Sequence, residues 1–220
     1  MSQAWSFSRL NNFELCPKKY YHLMYKKDVF EATNDTLRYG NEVHKALELR
    51  VSKNKRLPMH LTHLEKFAAK FAKPANKPDE ILVEQQLTIN EQMEPVGWFD
   101  KDAWCRSIID YLAIKGTSAL LVDYKTGKQK DDFSQMFLAG AMLFLYRPDL
   151  ERIALTYWWI KDRKFSSELI LREDMQSVWN DFLPRVAAYE KAHKTDTFPK
   201  RQNFTCKNYC AVKDCPLNGL

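Results

Sequence analysis

The spacing of apolar side chains divides the chain into a helical beginning and a longer region in which strands and helices mix. Three early segments have apolar residues three and four positions apart, which predicts helices: 6–26 with a break at Pro17, 35–52, and a third that begins at Pro58. Alternation or a short apolar run then predicts three strands: 81–89, 104–114 and 119–124.

The rest of the chain continues as helix, strand, strand and helix, followed by a tail. The predicted elements are a helix over 134–146, strands over 153–160 and 165–171, and a helix over 174–193 disturbed at Pro184. This order predicts an α/β domain, residues 1–220, with a central mixed sheet flanked by helices. The tail, residues 195–220, has little periodicity, so something other than an apolar core is expected to hold it.

Composition fits a globular protein that meets a polyanion. Of 220 residues, 45% are hydrophobic and 28% charged, and the net charge is +6. There is no apolar run of the ~20 residues that span a bilayer, and no leader pattern at the start, so we expect a cytoplasmic protein. Five cysteines in a reducing compartment indicate metal binding rather than disulfides where they cluster.

Two acidic residues and a lysine form the strongest candidate for catalysis. Asp110 and Asp123 lie on adjacent predicted strands joined by a tight turn, which can bring both carboxylates to the same end of the sheet. Lys125, two residues after Asp123, leaves the same face of its strand. Carboxylate oxygens suit Mg²⁺ or Mn²⁺, and such an ion with a lysine suits phosphodiester hydrolysis. The alternative is that these are solvated charges at strand ends.

Two further residues are weaker candidates. His44 lies on the second predicted helix, and Gly40, one turn earlier, would let that helix approach the sheet. A lone helical histidine is otherwise a core or surface residue. Glu84 can reach the site from the first strand, but an exposed strand glutamate is the favoured interpretation.

The cysteines near the two ends of the chain indicate a soft-metal site. Cys206, Cys210 and Cys215 fall within ten residues, and Cys16, before Pro17, is the natural fourth ligand. Four thiolates suit an iron–sulfur cluster, and zinc stays open. Cys105, on a strand, fits no ligand pattern and is expected in the core.

Basic residues near these sites are candidate contacts to nucleic acid. Lys18 and Lys19 follow Cys16 beside aromatic residues, and Lys128 follows the predicted hairpin that carries Asp110 and Asp123. The alternative for the first two is an amphipathic helix with solvated lysines. No element for reading bases is visible, which suits a processing nuclease.

These motifs together carry a resemblance to a known family. Gly40 and His44, then Asp110, then residues 122–127, then Gln135 resemble the RecB-like exonuclease branch of the PD-(D/E)XK nuclease superfamily. The resemblance implies a restriction-endonuclease-like core. It implies that four groups bind Mg²⁺ or Mn²⁺: His44, Asp110, Asp123 and the carbonyl of Tyr124. It further implies that Lys125 is catalytic and that Gln135 organises the site. The tyrosine usual four residues after that glutamine is replaced by Ala139, and Tyr146 is a weak substitute.

The cysteine pattern carries a second resemblance. Cys16 with its following basic and aromatic residues is similar to the first cluster cysteine of the AddB nuclease domain and of CRISPR-associated adaptation exonucleases. This implies that Cys16, Cys206, Cys210 and Cys215 hold a structural 4Fe–4S cluster that joins residues 1–30 and 195–220. The C-terminal spacing of three and then four residues departs from the usual two and five, which keeps zinc open.

The expected function is therefore that of a metal-dependent DNA exonuclease. It would hydrolyse linear or single-stranded DNA in recombination or repair, in a bacterial or phage setting and beside a recombination or repair partner protein. Two alternatives stand beside it. One is a non-catalytic, metal-stapled nucleic-acid-binding module, and the other is a restriction-type endonuclease on the same fold.

Overall fold

The computed structural model describes residues 4–31 and 35–220. The described residues form two compact units, one from 35–179 and the other from 4–31 together with 180–220. Six α-helices occur in the described ranges: α1 (Phe7–Leu15), α2 (Pro17–Tyr20), α3 (Asp35–Lys53), α4 (Glu65–Ala72), α5 (Ser134–Tyr146) and α6 (Met175–Lys194). A π-helical turn, Tyr21–Tyr25, follows α2, and a 3₁₀ turn, Met59–Leu64, precedes α4. Within these ranges no helix is both long enough and apolar enough to cross a bilayer.

The unit of residues 35–179 is built on one five-stranded mixed sheet. Its strands are β1 (Glu80–Ile89), β2 (Cys105–Lys115), β3 (Ser118–Lys125), β4 (Arg152–Trp159) and β5 (Lys164–Leu171). They lie in chain order, and all neighbours are antiparallel except β3 and β4, which are parallel. A parallel neighbour requires a crossover, and α5 supplies it. The predicted α/β fold with a mixed central sheet and flanking helices is confirmed.

Helices cover both faces of this sheet. On one face α5 is apolar around nearly its whole circumference and buried, as expected for a helix enclosed on all sides. Gly140 permits this packing, because a Cβ there would lie 3.2 Å from side-chain atoms of Leu155 and Ile170. On the other face the apolar stripes of α3 and α4 form a core around Trp158. Apolar burial on both faces explains why β3 is a continuous apolar run.

The sequence pattern fails at two points in these elements. Leu37 has the helical spacing of the apolar residues of α3, yet it is 55% exposed, because it lies in the first turn of α3, where the helix borders an open cleft. Pro184 was expected to disturb the last helix, yet α6 continues through it to Lys194. A proline without an N–H removes a single helical hydrogen bond, and the buried residues on either side of it, such as Phe182 and Val186, keep the helix in place.

The second unit joins residues from both ends of the sequence. Trp5 stacks on Phe182 with ring centroids 6.2 Å apart. The Tyr20 hydroxyl lies 2.6 Å from that of Tyr189 and 2.9 Å from Nε2 of His193. Residues 195–220 contain turns but neither α-helix nor strand. Side-chain and backbone hydrogen bonds hold this tail, as when Asn203 Nδ2 donates to the Leu15 carbonyl at 3.1 Å.

Candidate active site

Two carboxylates lie where β2 and β3 separate. The last paired residues before the separation are Tyr111 and Val122, and Asp110 and Asp123 are the next residues on the two strands. Both are buried, with 9% and 8% of their surface exposed. Asp110 Oδ2 accepts a hydrogen bond from the backbone N–H of Tyr124 at 2.7 Å. Two buried carboxylates this close are costly unless positive charge or hydrogen bonds compensate them.

Helix α3 brings His44 to the same point. Its Nδ1 lies 3.2 Å from Asp110 Oδ1, and its Nε2 lies 2.8 Å from the carbonyl oxygen of Tyr124. The helix can approach because of Gly40, where a Cβ would lie 3.2 Å from Thr126 Oγ1. This is the close approach that the sequence predicted for Gly40.

Lys125, Gln135 and Asp123 form a closed triangle of polar contacts. Lys125 Nζ lies 2.9 Å from Asp123 Oδ2 and donates to Gln135 Oε1 at 2.9 Å. Gln135 Nε2 in turn donates to Asp123 Oδ1 at 3.1 Å. Gln135 stands in the first turn of α5, so the start of this helix fixes the positions of both charged groups.

The pKa values in the site report the same crowding of negative charge. Burial raises the pKa of Asp123 to about 6; the Lys125 ammonium opposes this rise and the Asp110 charge adds to it. Burial disfavours the charged form of His44, but its hydrogen bond to Asp110 and that negative charge outweigh burial and raise the pKa of the imidazole. Protonation of these groups and the nearby Lys125 ammonium thus offset part of the negative charge in the site.

Glu84 on β1 also belongs to this group. It directly opposes Asp110, since the flanking pairs are Val83 with Tyr111 and Gln85 with Ile109. Ligand atoms of His44, Glu84 and Asp110 all lie within 4.8 Å of one another. Burial, with a smaller contribution from Asp110, raises the pKa of Glu84. Sequence reasoning ranked Glu84 low because alternation along β1 gives no sign of its neighbours across the sheet.

The predicted site residues line one open cleft of about 800 Å³. It is bordered by His44, Asp110, Asp123, Tyr124, Lys125 and Gln135, together with Glu84 and Glu48. Tyr146 plays no part in it, because its hydroxyl is bonded to the backbone of Thr88. Lys128 is exposed in the loop after β3.

The four candidate cluster cysteines line a separate small cavity of about 10 Å³. They are Cys16, Cys206, Cys210 and Cys215; all are free thiols, and the first three are buried. In the described part of the chain, however, no three cysteine sulfurs lie within 4.8 Å of one another. Cys105 is buried elsewhere, with its Sγ 3.6 Å from Met142 Sδ, which confirms its predicted core position.

Lys18 and Lys19 also line the cysteine cavity, and the structure argues against Lys19 as a DNA contact. Lys19 is 8% exposed, and its Nζ is paired with Glu31 at 2.7 Å, so it has neither the access nor the free charge that a phosphate contact needs. Lys18 is half-buried. The prediction of a DNA contact at Lys19 is therefore wrong, and the residue has a structural role. Its position between the basic Lys18 and the aromatic Tyr20 in the sequence could not reveal this.

Comparison with known proteins gives one family and a weak structural likeness. The model of the PD-(D/E)XK nuclease superfamily matches residues 4–215. No curated protein matches. A protein from Eubacterium rectale described as a "putative exonuclease" is similar in structure at 13% identity, with a TM-score of 0.51, covering 94% of this chain and 86% of its own. The protein SSO0001 is similar at 14% identity, with a TM-score of 0.46, covering 99% and 88%.

Proposed function

This chain belongs to the PD-(D/E)XK nuclease superfamily, and we propose that it is a divalent-metal-dependent exonuclease that hydrolyses phosphodiester bonds of DNA. The observation that carries the proposal is the convergence of two buried aspartates, a lysine and a histidine on one open cleft. Buried carboxylates that exceed their hydrogen-bonding partners need a cation, and oxygen ligands with one imidazole suit Mg²⁺ or Mn²⁺.

His44, Asp110, Asp123 and the carbonyl of Tyr124 would hold the cation. When bound, such an ion polarises a phosphoryl oxygen and lowers the pKa of a coordinated water. His44 must then present an unprotonated nitrogen, so it would give up at least one of the contacts it makes to Asp110 and Tyr124. Asp110 keeps its backbone bond to Tyr124, which holds the carboxylate and the neighbouring carbonyl in a fixed relation.

Lys125 is the residue placed to act on the substrate. Its ammonium is held at 2.9 Å by both Asp123 and Gln135, yet it also borders the cleft. From there it can hold an attacking water by a hydrogen bond and offset negative charge that develops on the phosphate. Gln135 is a positioning residue, because its amide orients Lys125 and Asp123 without needing to touch the substrate.

DNA as substrate and attack at chain ends rest on narrower support. A net charge of +6 favours a polyanion, and the exposed Lys128 is a candidate phosphate contact beside the catalytic hairpin. The preference for ends rests on the motif resemblance to the RecB-like branch, and a role in recombination or repair rests on the same resemblance. A restriction-type endonuclease is the competing assignment on this fold.

The test compares native protein with Asp123→Ala on two DNAs in Mg²⁺ or Mn²⁺. We expect native protein to release label from end-labelled linear DNA and to spare covalently closed circles, and the variant to be inactive. Linearisation of circles would favour the endonuclease. Equal digestion by native protein and variant, or digestion by neither, would contradict catalysis at this site, and digestion by neither would favour a non-catalytic binding module.

We also propose that Cys16, Cys206, Cys210 and Cys215 hold a structural iron–sulfur cluster. The support is that four free thiols, three of them buried, line one small cavity. A single zinc ion, with Zn–S bonds of roughly 2.3 Å, would draw the four sulfurs to about 3.8 Å apart. In the described part of the chain no three of these sulfurs lie within 4.8 Å of one another, so they are not gathered as they would be around a single zinc ion.

Absorbance and metal analysis of anaerobically purified protein test the cluster. We expect brown protein with broad absorption near ~400 nm and about four iron atoms per chain. Cys16→Ser should lose the iron and unfold at a lower temperature, because a bound cofactor contributes to folding, whereas Cys105→Ser should keep the iron. Colourless protein with one zinc per chain would contradict the proposal.

A further inference from the structure

We propose that Glu84 is a further protein ligand of the catalytic cation, which it would bind together with His44 and Asp110. This inference rests on the proposed function, because it assigns one more residue to the same cation site. The motif resemblance gives Glu84 no role, and the sequence favours an exposed strand glutamate over a site residue. Its position across the sheet, its backbone conformation and its lack of a partner carry the inference.

The first support is the position of Glu84 in the sheet. The pairs on either side, Val83 with Tyr111 and Gln85 with Ile109, place Glu84 opposite Asp110, and both residues line the same cleft. Ligand atoms of these two residues and of His44 lie within 4.8 Å of one another, a spacing that lets one cation contact all three. Asp123 is not in that group of three, since its oxygens face Lys125 and Gln135.

The backbone at Glu84 gives independent support. Its φ is +51°, a left-handed conformation that is unfavourable for a residue with a side chain and rare within a strand. The pairing of β1 with β2 continues on both sides, at Val83 and at Gln85, without a change of register. The distortion is therefore confined to the one residue that faces Asp110. Local strain of this kind is typical of functional sites, where it aims a side chain.

The carboxylate of Glu84 also lacks a partner. Within residues 4–31 and 35–220 it makes neither a hydrogen bond nor an ion pair, although the residue is half-buried. Lys45, on the neighbouring helix, is already paired with Glu48 at 2.6 Å. A half-buried carboxylate that faces a second carboxylate needs a counter-charge. A divalent cation shared with Asp110 and His44 would supply that charge.

Direct measurement of Mn²⁺ binding by the full chain, without DNA, tests this role. Titration followed by the electron paramagnetic resonance signal of free Mn²⁺ would compare native protein with Glu84→Gln, Asp110→Asn and Glu48→Gln. Glu48 is the matched control, because it lines the same cleft and carries the same charge but is paired with Lys45. We expect about a tenfold or greater loss of affinity for Glu84→Gln and for Asp110→Asn, and about a twofold change at most for Glu48→Gln.

The outcomes separate this inference from the function on which it rests. If Glu84→Gln binds Mn²⁺ as tightly as Glu48→Gln does while Asp110→Asn loses it, Glu84 is not a ligand and the proposed function stands. If Asp110→Asn also binds like native protein, the cation site itself is wrong. Circular dichroism of each variant establishes that the loss does not come from unfolding.

A second comparison tests the strained backbone without metal. Glycine adopts a positive φ readily and alanine does not. Glu84→Gly should therefore unfold at a higher temperature than Glu84→Ala in EDTA, although glycine is ordinarily the less stable residue within a strand. The reverse order would contradict the idea that the backbone is held in this conformation to aim the carboxylate.

Discussion

Replacing Asp123 by asparagine should stabilise the metal-free protein while abolishing cleavage. The Asp123 carboxylate is buried at 8% exposure, and burial raises its pKa from 3.8 to about 6. A carboxyl whose pKa is higher in the folded than in the unfolded chain destabilises the fold at every pH at which it is ionised in both states. That penalty is fully present above about pH 6 and is relieved as the pH falls toward 3.8.

The size of the effect follows from the shift and from the contacts that asparagine keeps. A rise of about two pKa units corresponds to about 3 kcal/mol at pH 8. Asparagine can still accept the hydrogen bond from Gln135 but loses the ion pair with Lys125, so the net gain should be about 1–2 kcal/mol. For a chain of 220 residues this raises the unfolding temperature by roughly 2–8 °C.

Thermal unfolding in EDTA at about pH 8 and pH 5, with cleavage measured in parallel, tests this prediction. Asp131→Asn is the control, because Asp131 is an exposed carboxylate in the loop after β3. Asp123→Asn should gain stability at pH 8, less at pH 5, and lose activity, whereas the control should change little. A loss of stability at pH 8, an equal gain at both pH values, or retained cleavage would refute the reasoning.

Three further predictions follow from the same contacts. Lys125→Met should slow cleavage about a hundredfold or more yet leave Mn²⁺ affinity unchanged or tighter by calorimetry, because the ammonium is not a ligand; weaker Mn²⁺ binding would contradict this. Gly40→Val should slow cleavage about tenfold by pushing α3 away from Thr126, and adding Thr126→Ala should recover part of the rate; a native rate for Gly40→Val would count against the close approach. Burial lowers the pKa of His193, so the folded chain binds fewer protons there and stability should fall as the pH drops below about 6.5. His193→Asn should lose less stability than native protein between pH 8 and pH 5 in thermal unfolding, and an identical loss would show that His193 does not titrate in this way.

Local sequence signals were sufficient for the hairpin and for the helix that completes the site. A single tight turn separates Asp110 on β2 from Asp123 and Lys125 on β3. Their convergence therefore depends only on the pairing of two strands that are neighbours in the sequence. Gly40 and His44 lie one turn apart on α3, and the absence of a side chain at Gly40 is itself a signal of close packing.

Signals that depend on distant parts of the chain could not be read in the same way. The role of Glu84 depends on its register against β2 and on a positive φ, neither of which appears in an alternating pattern. Lys19 is paired with Glu31, which lies twelve residues later in the chain. Leu37 fits the helical stripe but faces a cleft, because periodicity gives the face of a helix and not what lies opposite it.

The location of Mn²⁺ in crystals of this protein, found from its anomalous scattering, tests the central claim most directly. The account predicts a strong peak at bonding distance from carboxylate oxygens of Asp110 and Asp123 and from the Tyr124 carbonyl, with Lys125 beside it. Saturating Mn²⁺ with no peak in this cleft, or a peak bound elsewhere by other residues, would contradict a metal-dependent nuclease site here.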